Sequence, residues 1–181
     1  MQQRHGEIMK RLGVGSIAIC LVFAVGALRQ ETVFASNATE TYQLHMEAPQ
    51  ITQAANGDTV TTTGSGVFSV NPKTVTATGT YTSPDSGSGA WVATQLLDFQ
   101  PYGCGVIFGN PIPPNLCGGK LILRVVLTDS ISGQQFDGVL WVFCIIGNPP
   151  ASAKEGARLD IVGVNNFNKI VSGGNVYVKT T

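Results

Sequence analysis

Residues 59–82 read TVTTTGSGVFSVNPKTVTATGTYT, and they decide the fold. Thr74, Thr76, Thr78, Thr80 and Thr82 recur at strict period two, the period at which side chains of a β-strand share one face. Thr59, Thr61 and Thr63 repeat the device upstream, and Asn71-Pro72 parts the two runs. Pro fixes φ and Asn tolerates turn geometry, so the pair predicts a tight hairpin between strands at 59–70 and 73–82. Outward from this hairpin, further short runs rich in β-branched and aromatic residues predict strands at 41–48, 90–99, 120–128, 139–146, 158–165 and 175–179. No long stretch has helical period. The expectation is one all-β domain over residues 36–181, an antiparallel β-sandwich or small β-barrel, large enough for one core.

The 181 residues carry 11 Lys+Arg against 11 Asp+Glu, and only 12% are charged. That excludes a polyelectrolyte tail or a basic nucleic-acid binder. Arg4, Lys10 and Arg11 precede an uncharged run at 12–28, and Val33-Phe34-Ala35 suits cleavage before Ser36, so residues 1–35 read as a signal peptide. Arg29 and Glu31 make the cleavage region long and charged, which leaves open an uncleaved anchor touching the membrane through residues 12–28. Removing 1–35 leaves 7 basic against 9 acidic residues. A secreted, extracellular or periplasmic location follows from the leader. Asn37-Ala-Thr39 would accept a glycan in a glycosylating cell.

An oxidising compartment lets disulfides persist. Cys104 and Cys117 flank a Gly- and Pro-rich loop and are expected to pair; Cys144, inside VLWVFCII, reads as a small buried hydrophobe. The alternatives pair Cys144 with either of the others or leave all three reduced. Residues 139–146 are apolar at both parities, which predicts a central strand covered on both faces.

No nucleophile elbow, phosphate loop, His-Glu-x-x-His or Cys-x-x-Cys occurs. The exported part has His45 alone, placed by alternation beside Gln43 and Glu47; a Ser-His-Asp triad would have to use it and no serine is distinctive, and a lone histidine disfavours a transition-metal centre. The loop at 129–137 holds two carboxylates without EF-hand spacing. No catalytic residue, metal or cofactor is therefore assigned. Arg124, Asp98 and Asp160 lie in apolar settings; they read either as structural ion pairs or as polar groups lining a cavity inside a barrel. The threonine row offers a flat, uncharged face with hydroxyls about 6.6 Å apart. Trp91, Tyr81, Tyr102 and Phe108 fall near turns, where rings could stack on sugars, whereas Trp141 and Phe143 read as core.

Two functions remain. The first is a non-catalytic exported domain that binds a surface glycan or another protein through the threonine face or the Cys104–Cys117 loop. The second is a small barrel around an apolar or phenolic small molecule, with isomerase/cyclase-like or stereo-directing activity, using Arg124, Asp98 and Asp160.

Overall fold

The computed structural model describes residues 39–84 and 87–180. The predicted leader, Cys20 and Asn37 lie outside them. The described residues form eleven strands: β1 (Thr41–Gln53), β2 (Thr59–Ser69), β3 (Thr74–Ser83), β4 (Gly87–Cys104), β5 (Val106–Ile107), β6 (Asn110–Pro111), β7 (Leu116–Asp129), β8 (Gln135–Cys144), β9 (Gly156–Ile161), β10 (Asn165–Phe167) and β11 (Lys169–Lys179). Nine make one antiparallel sheet in the order β10-β9-β8-β7-β11-β1-β2-β3-β4, and β4 pairs again with β7. β5 and β6 form a separate small hairpin. The architecture is all-β, sandwich- or barrel-like, as the sequence predicts.

β7 is where the sheet folds onto itself. One edge pairs with β4 from Cys117 to Asp129. The other pairs with β11 at Leu116 and Cys117 only, then with β8 from Gly119 onward. Its inward residues Leu121, Leu123, Val125 and Leu127 are fully buried, each burial stabilising by roughly 1.5–3 kcal/mol. Facing them, Phe68 meets Tyr42, Phe99 and Tyr177 with ring centroids 4.8–5.7 Å apart, spacings at which aromatic pairs attract. Trp91 lies over the backbone of β2 and β3 and donates its Nε1–H to the Thr63 carbonyl at 2.9 Å.

Seven of the eight predicted strands form as single strands; the run predicted at 158–165 instead ends at Ile161 and turns at 162–164 into β10, so that Asn165 pairs back onto Ile161. Two further differences are instructive. β1 runs through Pro49 to Gln53, with register shifts between Met46 and Thr52; a bulge tolerates proline where a regular ladder does not. Ser172-Gly-Gly-Asn175, which resembles a turn, is mid-strand in β11. The buried Gln50 side chain lies where a Cβ on Gly173 would project, so the glycine permits close approach.

Beyond Tyr177 and Val178, β11 has no ladder to the β7–β9 half, and side chains bridge that seam. Asn175 Nδ2 donates to Gln50 Oε1 (3.1 Å) and to the carbonyls of Phe143 and Gly156 (3.0 Å each). The Glu155 carboxylate accepts the backbone N–H of Ile145 (2.8 Å) and of Asn175 (2.7 Å). Burial raises its pKa from the ordinary value, and the two N–H donors only partly oppose this.

Candidate functional site

The threonine row lies as predicted. Thr74, Thr76, Thr78, Thr80 and Thr82 are all exposed on β3, while Ala77 and Tyr81 of opposite parity are buried. Register extends the row sideways into a face. Thr61, Thr63 and Ser65 of β2 stand opposite Thr82, Thr80 and Thr78. On the other flank Ser88, Ala90 and Val92 of β4 pair with Thr82, Thr80 and Thr78, and Thr128 of β7 follows beside Ala90.

A shallow groove of about 710 Å³ crosses one end of this face, lined by Thr80, Tyr81, Thr82, Ser88, Gly89, Ala90, Thr128, Asp129 and Ser130. A second, of about 390 Å³, runs along Ser65, Gly66, Val75, Thr76, Ala77, Thr78, Val92 and Ala93. Asp129 is the one charged residue in either lining. Its Oδ1 is already taken by the backbone N–H groups of Ile131 (3.1 Å) and Ser132 (2.7 Å) and by the Ser132 hydroxyl (2.7 Å). The Ser132 bonds are the main reason its pKa is lowered.

The hydroxyls are partly ordered from within. Thr78 Oγ1 donates to the Trp91 carbonyl at 2.8 Å, and Thr63 Oγ1 lies 2.8 Å from Thr80 Oγ1. Ser130 Oγ donates to the Ser88 carbonyl at 2.7 Å. A hydroxyl that spends its proton internally still offers two acceptor lone pairs outward. Thr78 and one hydroxyl of the Thr63–Thr80 pair are thereby held as acceptors, and the face presents these beside the remaining threonine hydroxyls, interleaved with methyls.

The charged trio does not line an interior cavity. Arg124 and Asp98 are exposed and Asp160 is half-buried. On β7 and β9 they have the parity opposite to the buried Leu123, Val125, Leu159 and Ile161, so they sit on the outer face. Arg124 pairs in register with Val139, which pairs with Asp160, and Asp98 pairs with Ile122. None of the trio lines either threonine-face groove. Among the described residues the ion pair is Lys179–Glu40 (2.7 Å), which excludes the structural-pair reading of the trio as well.

The aromatic assignments also change. Trp91 and Tyr81 are buried, 1% and 4% exposed, so neither is a stacking platform. Tyr102 is half-exposed and Phe108, on the β5–β6 tip, is 79% exposed. Trp141 is half-buried on the outer face of β8; Phe143, also outward, is covered by Arg158, whose guanidinium carbon lies 5.3 Å from the ring centroid. β8 is thus central between β7 and β9, but its outer face is covered only in part.

Cys104 and Cys117 are disulfide-bonded across paired positions of β4 and β7. Cys144 is free and buried, and burial pushes its thiol up to about 12. His45 is half-buried, 3.4 Å from Gln43 Oε1. Among the described residues no cluster of His, Cys, Asp or Glu could hold a metal ion, and no helix is long and apolar enough to cross a membrane.

No protein-family model, curated protein or solved structure matches this chain.

Proposed function

We propose that the chain is a non-catalytic binding domain that works in an oxidising compartment outside the cytosol, and that its outer β2–β3–β4–β7 face engages a hydroxyl-rich glycan. The observation that carries this reading is the exposed threonine row extended by Thr61, Thr63, Ser65, Ser88 and Thr128 into an indented, nearly charge-free surface. A row of hydroxyls, some of them held as acceptors, suits a partner made of hydroxyl groups, and the interleaved methyls suit the C–H faces of sugar rings. With Asp129 its one charged residue, the groove lining disfavours an ionic partner on this face. The Cys104–Cys117 disulfide supports the compartment.

Affinity electrophoresis in gels cast with neutral soluble polysaccharides tests the reading. The chain should be retarded by one or more of them, and the Thr76→Val, Thr80→Val, Thr82→Val triple variant should run as in a polysaccharide-free gel. Valine keeps shape and strand preference while removing the hydroxyl. Retardation unchanged in that variant, or absent from every neutral polysaccharide tried, would overturn it.

A further inference from the structure

A third groove, of about 220 Å³, lies on the outer face at the opposite end of β7, where the segment at 145–155 forms a wall. Gln100, Tyr102, Lys120, Phe143, Lys154 and Arg158 line it, with no acidic residue in the lining. Gln100, Lys120 and Phe143 are successive register partners across β4, β7 and β8. Arg158 reaches over from β9 and is held above the Phe143 ring.

None of the three cations makes an ion pair among the described residues. The nearest carboxylate in sequence, Glu155, is occupied with the Ile145 and Asn175 N–H groups. Asp160, two residues along β9 on the same face, and Asp98, paired with Ile122 beside Lys120, flank the groove outside its lining. Three cations sharing a groove repel one another, and an oxyanion placed among them relieves that repulsion with charge-assisted hydrogen bonds.

The groove is also preformed. Asn148 N–H donates to the Tyr102 carbonyl (2.6 Å), Gly147 N–H to Val106 (2.7 Å) and Ala153 N–H to Pro150 (2.8 Å), which fix the wall. Its volume falls below the roughly 300–1,000 Å³ of drug-sized pockets. It suits one small anionic group.

We propose that this groove binds an oxyanion, a sulfate or carboxylate carried on a small ligand or a sugar unit, with Lys120, Lys154 and Arg158 as the anion-contacting residues and Tyr102 beside them. The site is separate from the threonine face and stands or falls without it. Equilibrium dialysis of the full chain against radiolabelled inorganic sulfate and galacturonic acid, with galactose as the neutral control, tests it.

Saturable retention of sulfate, galacturonate or both, with an affinity on the order of millimolar, supports the site; which of the two is retained identifies the class. Lys154→Gln and Arg158→Gln should each weaken it about tenfold or more. Arg124→Gln, which removes a cation from the same face outside the groove, should leave it unchanged. No retention of either anion overturns the proposal, as does equal retention of galactose or an equal loss in Arg124→Gln. Both test residues are exposed, and thermal melts confirm that the variants fold.

Discussion

Gly79 lies between Thr78 and Thr80 on β3, with its Cα hydrogen facing inward where Trp91 packs. A Cβ at this position would stand 2.5 Å from Trp91 Nε1 and 2.6 Å from Cε2, and closer still to the Thr63 carbonyl oxygen, against 3.4–4 Å for ordinary contact. Gly79→Ala should therefore force the indole away. Overpacking of this kind costs about 1–3 kcal/mol. Losing the Trp91–Thr63 hydrogen bond leaves buried groups unpaired at about 1–3 kcal/mol more. The lower unfolded-state entropy of alanine returns roughly 0.4–1 kcal/mol. The net expectation is a loss of about 3 kcal/mol, from a typical total of about 5–15 kcal/mol. Urea unfolding followed by far-UV circular dichroism reads the loss, and a red-shifted tryptophan emission reads the exposure of an indole now 1% exposed. Gly174→Ala is the control, because its nearest contact would be Ala48 Cβ at 3.8 Å. If Gly79→Ala costs under about 0.5 kcal/mol, the range of inert surface changes, close packing of Trp91 does not constrain this hairpin. The same substitution should weaken polysaccharide binding, since Thr78 is ordered by the Trp91 carbonyl.

Removing the disulfide by Cys104→Ser should lower stability by about 3 kcal/mol, the loop-closure value for a separation of 13 residues; an unchanged denaturation midpoint refutes that. Cys144 should resist iodoacetamide at pH 8 in the folded chain and react fully in urea, as peptide mass spectrometry would show, because the thiol is buried and its pKa lies near 12. Burial raises the Glu155 pKa, so its contribution is fully present below the ordinary carboxylate value of 4.5 and is lost as pH rises through the raised one. Melting temperatures of Glu155→Gln and wild type between pH 4 and 7 should shift in favour of the variant as pH rises; a shift the other way refutes the assignment.

The clarity of β7 and the obscurity of β4 have one cause. In β7 the inward residues keep strict period two from Leu121 to Leu127, so pattern reading separates the two faces, although it puts Arg124 in an ion pair or an interior cavity where the structure has it exposed on the outer face. In β4 the buried residues are Trp91, Ala93, Leu96 and Phe99, because register shifts near Thr94 and Leu97 change the parity twice. Strict alternation would turn Gln95 and Leu97 inward. A bulge is set by the partner strand and the sheet's curvature, neither of which is local. The same limit hid the seam. Gln50 and Asn175 are polar residues in strands, and only the pairing of β1 with β11 brings them together. Half of the site was legible, since five threonines at period two specify a face by themselves. The basic groove was not, because Lys120, Lys154 and Arg158 are brought together by three separate chain segments.

The outer residues of β7 link the two proposed sites. Read from the disulfide end they are Lys120, Ile122, Arg124, Val126 and Thr128, with cations at the first and third places and a hydroxyl at the last. Lys120 lines the basic groove and Thr128 the hydroxyl groove. Eight residues of extended chain at about 3.3 Å each put them roughly 26 Å apart, some three times the Debye length of about 8 Å at physiological salt. Electrostatic cross-talk should be negligible, and separations beyond about 7–10 Å without shared partners usually give additive effects. Lys120→Gln should therefore weaken retention of sulfate or galacturonate and leave polysaccharide retardation unchanged, while Thr128→Val should do the reverse. If Lys120→Gln also abolishes retardation by neutral polysaccharides, the two grooves are parts of a single extended site that follows β7.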